Sequence, residues 1–279
     1  MSMGTFHAAL LMAPYYPCFW TLEKSVSVQV LFDGGKWLCG LDELKASASS
    51  RDAASHASSR CVVYSLGSNF NTVFEDHVSA ATAGACDFFI FDPTMAVTHS
   101  QSKLDAWRKK LPPNYYFREM GIVGNSEATN VSIRSVYGGG QHSYPATTLE
   151  GAMHANGNCA DGVCWGTMLK VDIDGFELDL LRATNWHRVR FGLVLFEIHA
   201  QQHSSSGPSN SLSFAMAHTT FVALERAGYR IYSAEPVWIG RNGLGSGSWE
   251  IGLIHRDWNP HMGFSAPCSN LPNVTGAWP

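Results

Sequence analysis

From residue 61 onward the chain alternates short apolar runs with amphipathic stretches, and the early runs stop at a glycine or at an acid followed by proline. Residues 61–66 are β-branched and aromatic and stop at Gly67; residues 87–91 stop at Asp92-Pro93; 115–122, 167–173 and 191–198 repeat the pattern. Between them, 71–83, 102–111, 176–184 and 212–227 carry apolar residues at helical spacing, the last ending at Gly228. Strand–helix repeats of this kind build a parallel sheet covered on both faces. The ending differs, because a helix is followed by two closely spaced strands, 229–234 and 250–255. The expected fold is α/β: a Rossmann-like, seven-stranded, mostly parallel sheet with helices on both faces and a C-terminal antiparallel hairpin.

The chain has 279 residues, 45% of them hydrophobic, enough for one large core. Residues 1–60 read as an N-terminal extension packed on the core, rich in aromatics (Trp20, Phe32, Trp37) and ending in a Ser/Ala-rich stretch. Residues 61–257 form the principal domain and 258–279 a C-terminal tail. A net charge of -4 and the absence of any Lys/Arg run argue against a nucleic-acid partner. No apolar stretch is long enough to span a bilayer. No intact signal peptide starts at Met1, so the compartment reads as cytoplasmic as written and as secretory if a leader has been removed. Seven cysteines leave at least one without a partner in the chain, and the lack of any CxxC pair argues against a zinc knuckle. Asn130-Val-Ser132 and Asn273-Val-Thr275 are glycosylation sequons, a common chance pattern. Nothing in the sequence fixes the oligomeric state.

Ligands of such sheets bind beyond the strand C-termini, where the strand order reverses. The first strand ends Ser65-Leu-Gly67-Ser68-Asn69, and a glycine with small polar neighbours lets backbone approach a ligand. An ordinary strand-to-helix turn would look the same. The next strand ends in Asp92-Pro93, with Asp92 placed 25 residues after Gly67, a spacing at which an acid meets ribose hydroxyls. Asp92 also suits a helix cap, and the two roles are compatible. Together Gly67 and Asp92 point to a nucleoside site. Gly121-Ile122, in the loop that ends the third strand, is a candidate flank for its base.

The segment from Lys170 to Glu177 (KVDIDGFE) places Lys170, Asp172 and Asp174 on one face of a buried strand or at its tip. Charges there need partners or a ligand. Asp172 and Asp174 are candidate ligands for Mg²⁺ or another divalent cation, with Glu177 nearby. The competing reading is a capping box made by Asp174 and Glu177, which leaves Asp172 unexplained. The next strand ends Phe196-Glu197-Ile198-His199. Alternation places Glu197 and His199 on one face, where His199 could serve as general base or complete a metal set with Asp172 and Asp174.

At these residues the chain resembles the methyltransferase-like 24 type domain, a branch near the FkbM methyltransferases. The resemblance is carried by the stretch from Cys61 to Phe70, by Phe74-Glu75, by Phe91 to Thr94, and by Lys170 to Glu177, with Asp174 where that family often has Glu. The Asp33-Gly-Gly-Lys-Trp-Leu-Cys39 element, Leu195 to His199 and Gly228 to Tyr232 add to it. It spans roughly residues 30 to 255 and implies a class I fold with S-adenosylmethionine as cofactor. By the same resemblance Gly67, Ser68 and Asn69 border the methionine part; Ser65, at the end of the same strand, is a further cofactor-binding candidate. Asp92 and Pro93 lie at the ribose and Asp172 near the methyl donor. FkbM relatives methylate hydroxyls, so the expected partner is a small-molecule or carbohydrate acceptor. Many animal relatives look secretory, and a Cys39–Cys61 bridge is conceivable there. The expected activity is O-methyl transfer with His199, Asp172 and Glu197 at the chemical end. Two other classes compete: a non-catalytic binding module for a glycan or protein, and a nicotinamide-dependent reductase, which the missing GxGxxG disfavours.

Overall fold

The computed structural model describes residues 16–25, 35–50, 61–98, 100–124, 129–134, 141–198, 214–237, 248–261 and 263–264. The chain enters through β1 (Leu22–Lys24) and β2 (Trp37–Cys39), an antiparallel pair, and then α1 (Leu41–Ser50). The alternation follows: β3 (Cys61–Leu66), α2 (Val73–Ala81), β4 (Cys86–Phe91), α3 (Met95–Thr98), α4 (Gln101–Arg108) and β5 (Tyr115–Arg118). A small three-stranded sheet comes next, made of β6 (Gly121–Ile122), β7 (Asn130–Arg134) and β8 (Gln141–Thr147), and then α5 (Leu149–Ala155). The second half contains β9 (Cys159–Ala160), β10 (Val163–Val171), α6 (Glu177–Ala183), β11 (Val189–Ile198) and α7 (Phe214–Arg226). It closes with β12 (Tyr229–Val237), β13 (Ser248–His255) and a short pair, β14 (Trp258–Asn259) and β15 (Gly263–Phe264).

The main sheet runs β12-β13-β11-β10-β3-β4-β5, with β9 attached to β10. β3, β4, β5, β10 and β11 pair in parallel, while β13 is antiparallel to both β11 and β12. The expected sheet and terminal hairpin are therefore present. The chain moves outward from β3 through β4 to β5, returns to β10 beside β3, and moves outward the other way. The order reverses between β3 and β10, which is where a ligand crevice opens. One apolar cluster, including Tyr64, Leu169, Phe191 and Phe196, fills one face of the sheet. A second, with Val63, Met168 and Leu193, lies on the other and takes in Leu38, Cys39 and Leu41 of the N-terminal segment.

Two expectations are corrected. The third strand does not run through residue 122: Gly121 and Ile122 leave the main sheet and pair with Ala146 and Thr147 of β8. The half-exposed Glu119 and Met120 separate the two pieces, so the apolar run is not one strand. The conceivable Cys39–Cys61 bridge is replaced by Cys18–Cys39 and Cys61–Cys86, with a third at Cys159–Cys164. Register is the reason, since Cys61 faces Cys86 across β3 and β4 and Cys159 faces Cys164 across β9 and β10. Trp258, placed by sequence in the tail, is buried; a Cβ on Gly192 of β11 would fall 2.3 Å from its ring. Residues 51–60 of the Ser/Ala-rich stretch lie outside the described residues.

Candidate functional site

The chain turns sharply after β3. Gly67 has φ +80°, and a Cβ there would fall 1.7 Å from the carbonyl oxygen of Asp172. Only glycine fits both constraints. Its amide donates to Phe91 O at 2.9 Å and its carbonyl accepts from Lys170 Nζ at 2.7 Å, while Asp172 N donates to Leu66 O at 2.9 Å. The tips of β3, β4 and β10 are thereby tied together. Asn69 and Phe70 follow with φ of 44° and 62°, a left-handed pair that side chains rarely adopt. Phe70 is held by an edge contact to Trp107 and by Lys103 over its ring.

Asp92 is buried at the tip of β4 and fastens this loop. Its Oδ2 accepts from the amides of Ser68 (3.0 Å) and Asn69 (2.8 Å), and its Oδ1 accepts from the amide (2.9 Å) and hydroxyl (2.8 Å) of Thr94. Four donors fill the acceptor sites of one carboxylate. The helix begins at Met95, so Asp92 stands before its N-cap position, and its bonds to Thr94 brace the turn rather than cap the helix. Ser65, fully buried beneath the loop, has no hydrogen-bond partner for its Oγ. Gly121 and Ile122 are buried and pair with β8. Burial, with Asp92 and Glu119 adding to it, holds the Tyr144 phenol above its ordinary pKa.

The chemical end is organised by a turn after β10. Asp172 is half-buried, and Asp174 is exposed with φ +51°. Glu177 is buried and reaches back to the amides of Ile173 and Gly175, each at 3.0 Å. The expected capping box is not formed: the N-cap position is Phe176, so Asp174 does not cap the helix, and Glu177 braces the turn before it. Glu177 is committed to backbone. Among the described residues no group of three ligand side chains includes Asp172 or Asp174; the one such group is His154 with the disulfide pair Cys159 and Cys164. His199 lies outside the described residues.

Two charged residues that sequence reasoning had not assigned stand beside Asp172. Lys36, just before β2, is buried with its Nζ 2.5 Å from Glu250 Oε1, 3.6 Å from Asp172 Oδ2 and 3.9 Å from Glu197 Oε2. Glu197 and Glu250 face each other across β11 and β13, and Glu235 of β12 faces Glu250. Burial works against the Lys36 ammonium, but Asp172, Glu250 and Glu197 outweigh it and hold its pKa above the lysine norm. Burial pushes the Glu250 carboxyl up to about 8, with Lys36 opposing and Glu197 adding to the rise. The positive charge facing Asp172 is thus supplied by Lys36 and by Lys170, whose Nζ is 3.9 Å away. The sequence signals were the Asp33-to-Cys39 element that contains Lys36, to which no role was attached, and a lone glutamate inside the apolar β13.

A parallel sheet with an antiparallel last strand and a polar crevice at its reversal point defines a Rossmann-like α/β protein. Residues 8–244 match the family described as Methyltransferase domain, and the chain belongs to that family. No curated protein matches the sequence. Among solved structures it is similar to a SAM-dependent methyltransferase from Aquifex aeolicus, with a TM-score of 0.35 and 12% identity over 70% of this chain and 82% of that one. It is also similar to the Methanococcus jannaschii fibrillarin pre-rRNA processing protein, with a TM-score of 0.37 and 10% identity over 84% and 88%. Precorrin-6y C5,15-methyltransferase from Geobacter metallireducens gives 0.34 and 9% over 82% and 91%. Overlaps this loose say nothing of activity, and the fold rests on the strand order.

Proposed function

We propose that this protein binds S-adenosylmethionine at the β3–β10 reversal point and methylates a hydroxyl of a small molecule or sugar, within the finer methyltransferase-like 24 and FkbM group. The observation that carries the reading is the meeting of the Gly67 loop with Asp172 in a chain of the methyltransferase-domain family. When bound, the cofactor supplies an electrophilic methyl group. Ser65, Gly67, Ser68, Asn69, Asp92, Pro93, Gly121, Ile122 and Asp172 are the residues proposed to hold it. Asp92 acts chiefly by fixing the loop, because its lone pairs already serve Ser68, Asn69 and Thr94. Asp172 and Glu197 give the chemical end its negative charge, and His199 is the proposed acceptor of the hydroxyl proton. Aligning acceptor and methyl then supplies much of the rate. Lys36 and Lys170 already meet the charge of Asp172, so no dependence on Mg²⁺ is expected. Three disulfides favour an oxidising compartment.

Calorimetric titration with S-adenosylmethionine and S-adenosylhomocysteine, with and without Mg²⁺, tests this. Micromolar binding is expected in both conditions. Failure of both nucleosides to bind would overturn the reading and favour a non-catalytic binding module, to which the filled acceptor sites of Asp92 already point.

A further inference from the structure

The N-terminal hairpin lies across the C-terminal half of the sheet and brings cations to its acids. Lys24 Nζ is 2.5 Å from Glu235 Oε2, and Trp37 Nε1 donates to the same oxygen at 3.0 Å. Tyr232 donates to the carbonyl of Trp37. Lys36 itself is held at both ends of its backbone by Ser25. Its amide donates to Ser25 Oγ at 3.0 Å, and its carbonyl accepts from Ser25 N at 2.9 Å. The preceding Gly35 has no room for a side chain, since a Cβ would fall 1.8 Å from Ser25 O. The ammonium is therefore delivered to one place. There it makes one short hydrogen bond to Glu250 and two looser ion pairs, to Asp172 and Glu197. Among the described residues the second oxygen of Glu250 has no hydrogen-bond partner, and Lys36 donates to the first.

We propose that Lys36 is a positioning residue of the donor-facing end. Its ammonium, inserted from outside the Rossmann-like sheet, is the charge around which Asp172, Glu197 and Glu250 are arranged, and it fixes the Asp172–Gly175 turn. An ammonium inside a set of carboxylates orders all of them, and removing it leaves buried like charges facing one another. Glu250 anchors the lysine through the short hydrogen bond, and the Asp172 charge reaches Glu250 only as a weak repulsion. Other charged groups around the network are Lys170 on β10, Lys24 and Glu235 at the hairpin, and Glu75 on α2, which feels Lys170.

The proposal rests on the donor reading only for its affinity arm. Lys36→Met and Glu250→Gln are compared in the full-length protein by thermal unfolding, by amide hydrogen exchange over 172–176, and by S-adenosylmethionine titration. Both variants lower Tm. Only Lys36→Met is expected to speed exchange in the turn and to weaken donor binding by about tenfold or more. Glu250→Gln, which keeps the ammonium beside Asp172, leaves both close to wild type. Equal effects of the two variants, or an unchanged turn in Lys36→Met, would overturn the proposal and reduce Lys36 to a stabilising contact. If the wild-type protein binds no donor, the donor reading fails and turn exchange alone decides the role of Lys36.

Discussion

Two glycines with nearly the same backbone angle allow a controlled test of the crevice. Gly67 has φ +80° and Gly84 has φ +76°; a Cβ on Gly84 meets nothing within 4 Å, whereas one on Gly67 would fall 1.7 Å from Asp172 O and 2.8 Å from its carbonyl carbon. An alanine in the left-handed region costs about 1–2 kcal/mol, partly offset by about 0.4–1 kcal/mol because alanine restricts the unfolded chain. Gly84→Ala should therefore lose about 1 kcal/mol or less. Gly67→Ala carries the same cost plus an overlap with backbone that cannot rotate away, worth about 1–3 kcal/mol. The expected difference is about 2 kcal/mol, or about 4–8 °C in Tm for a chain of this size. Differential scanning calorimetry of both variants reads it directly. S-adenosylmethionine affinity should fall in Gly67→Ala alone, because Asp172 must shift to make room. If the two variants melt together, the close approach of the Gly67 loop to β10 is not a constraint, and the account of the crevice is wrong.

His255 should set part of the acid limb of stability. Its Nδ1 accepts from Asp257 N and its Nε2 donates to Ala227 O; burial lowers its pKa to about 4, against the pull of Asp257. The ring is neutral in the fold but charged in the unfolded chain between these values, so stability is full above about pH 6.5 and falls by roughly 3 kcal/mol as pH drops to about 4. Urea titrations across this range should show the slope in wild type and a shallower one in His255→Gln; equal slopes would refute the assignment. Replacing Cys61 and Cys86 together by alanine should cost about 3 kcal/mol, since their bridge closes a loop between residues 25 apart. Denatured, unreduced protein should present a single alkylatable thiol by mass spectrometry, and more than one would contradict the three pairs.

The central strands were readable because they are buried on both faces. Val62, Val63, Leu169, Leu193 and Val194 leave no polar alternation to mislead. The β7–β8 pair was not, because much of it is exposed and Tyr144, the one buried aromatic among its described residues, looks like any loop tyrosine. Gly67, Asp92 and Asp172 were legible as strand-end residues, since chemistry at a parallel sheet collects there. Lys36 and Glu250 were not, because each is a lone charge whose partner is remote in sequence. Alternation along β13 would have placed Glu250 on the same face as Gly252 and Ile254, but not what faces it. Disulfide pairing was likewise a matter of register, which spacing does not encode.

The Lys36–Glu250 contact joins residues 214 positions apart. A ribosome releasing this chain would expose Lys36 long before Glu250. Until then the acids at 172 and 197 and the lysine at 36 lack their shared neighbour, and the tip of β10 has no settled electrostatic surroundings. Closing so long a loop costs little more entropy than a loop of half its length, but it orders events in time. A nascent copy that has built β3, β4 and β10 thus already carries the crevice in outline, and the Lys36–Glu250 contact closes only when β13 joins the sheet.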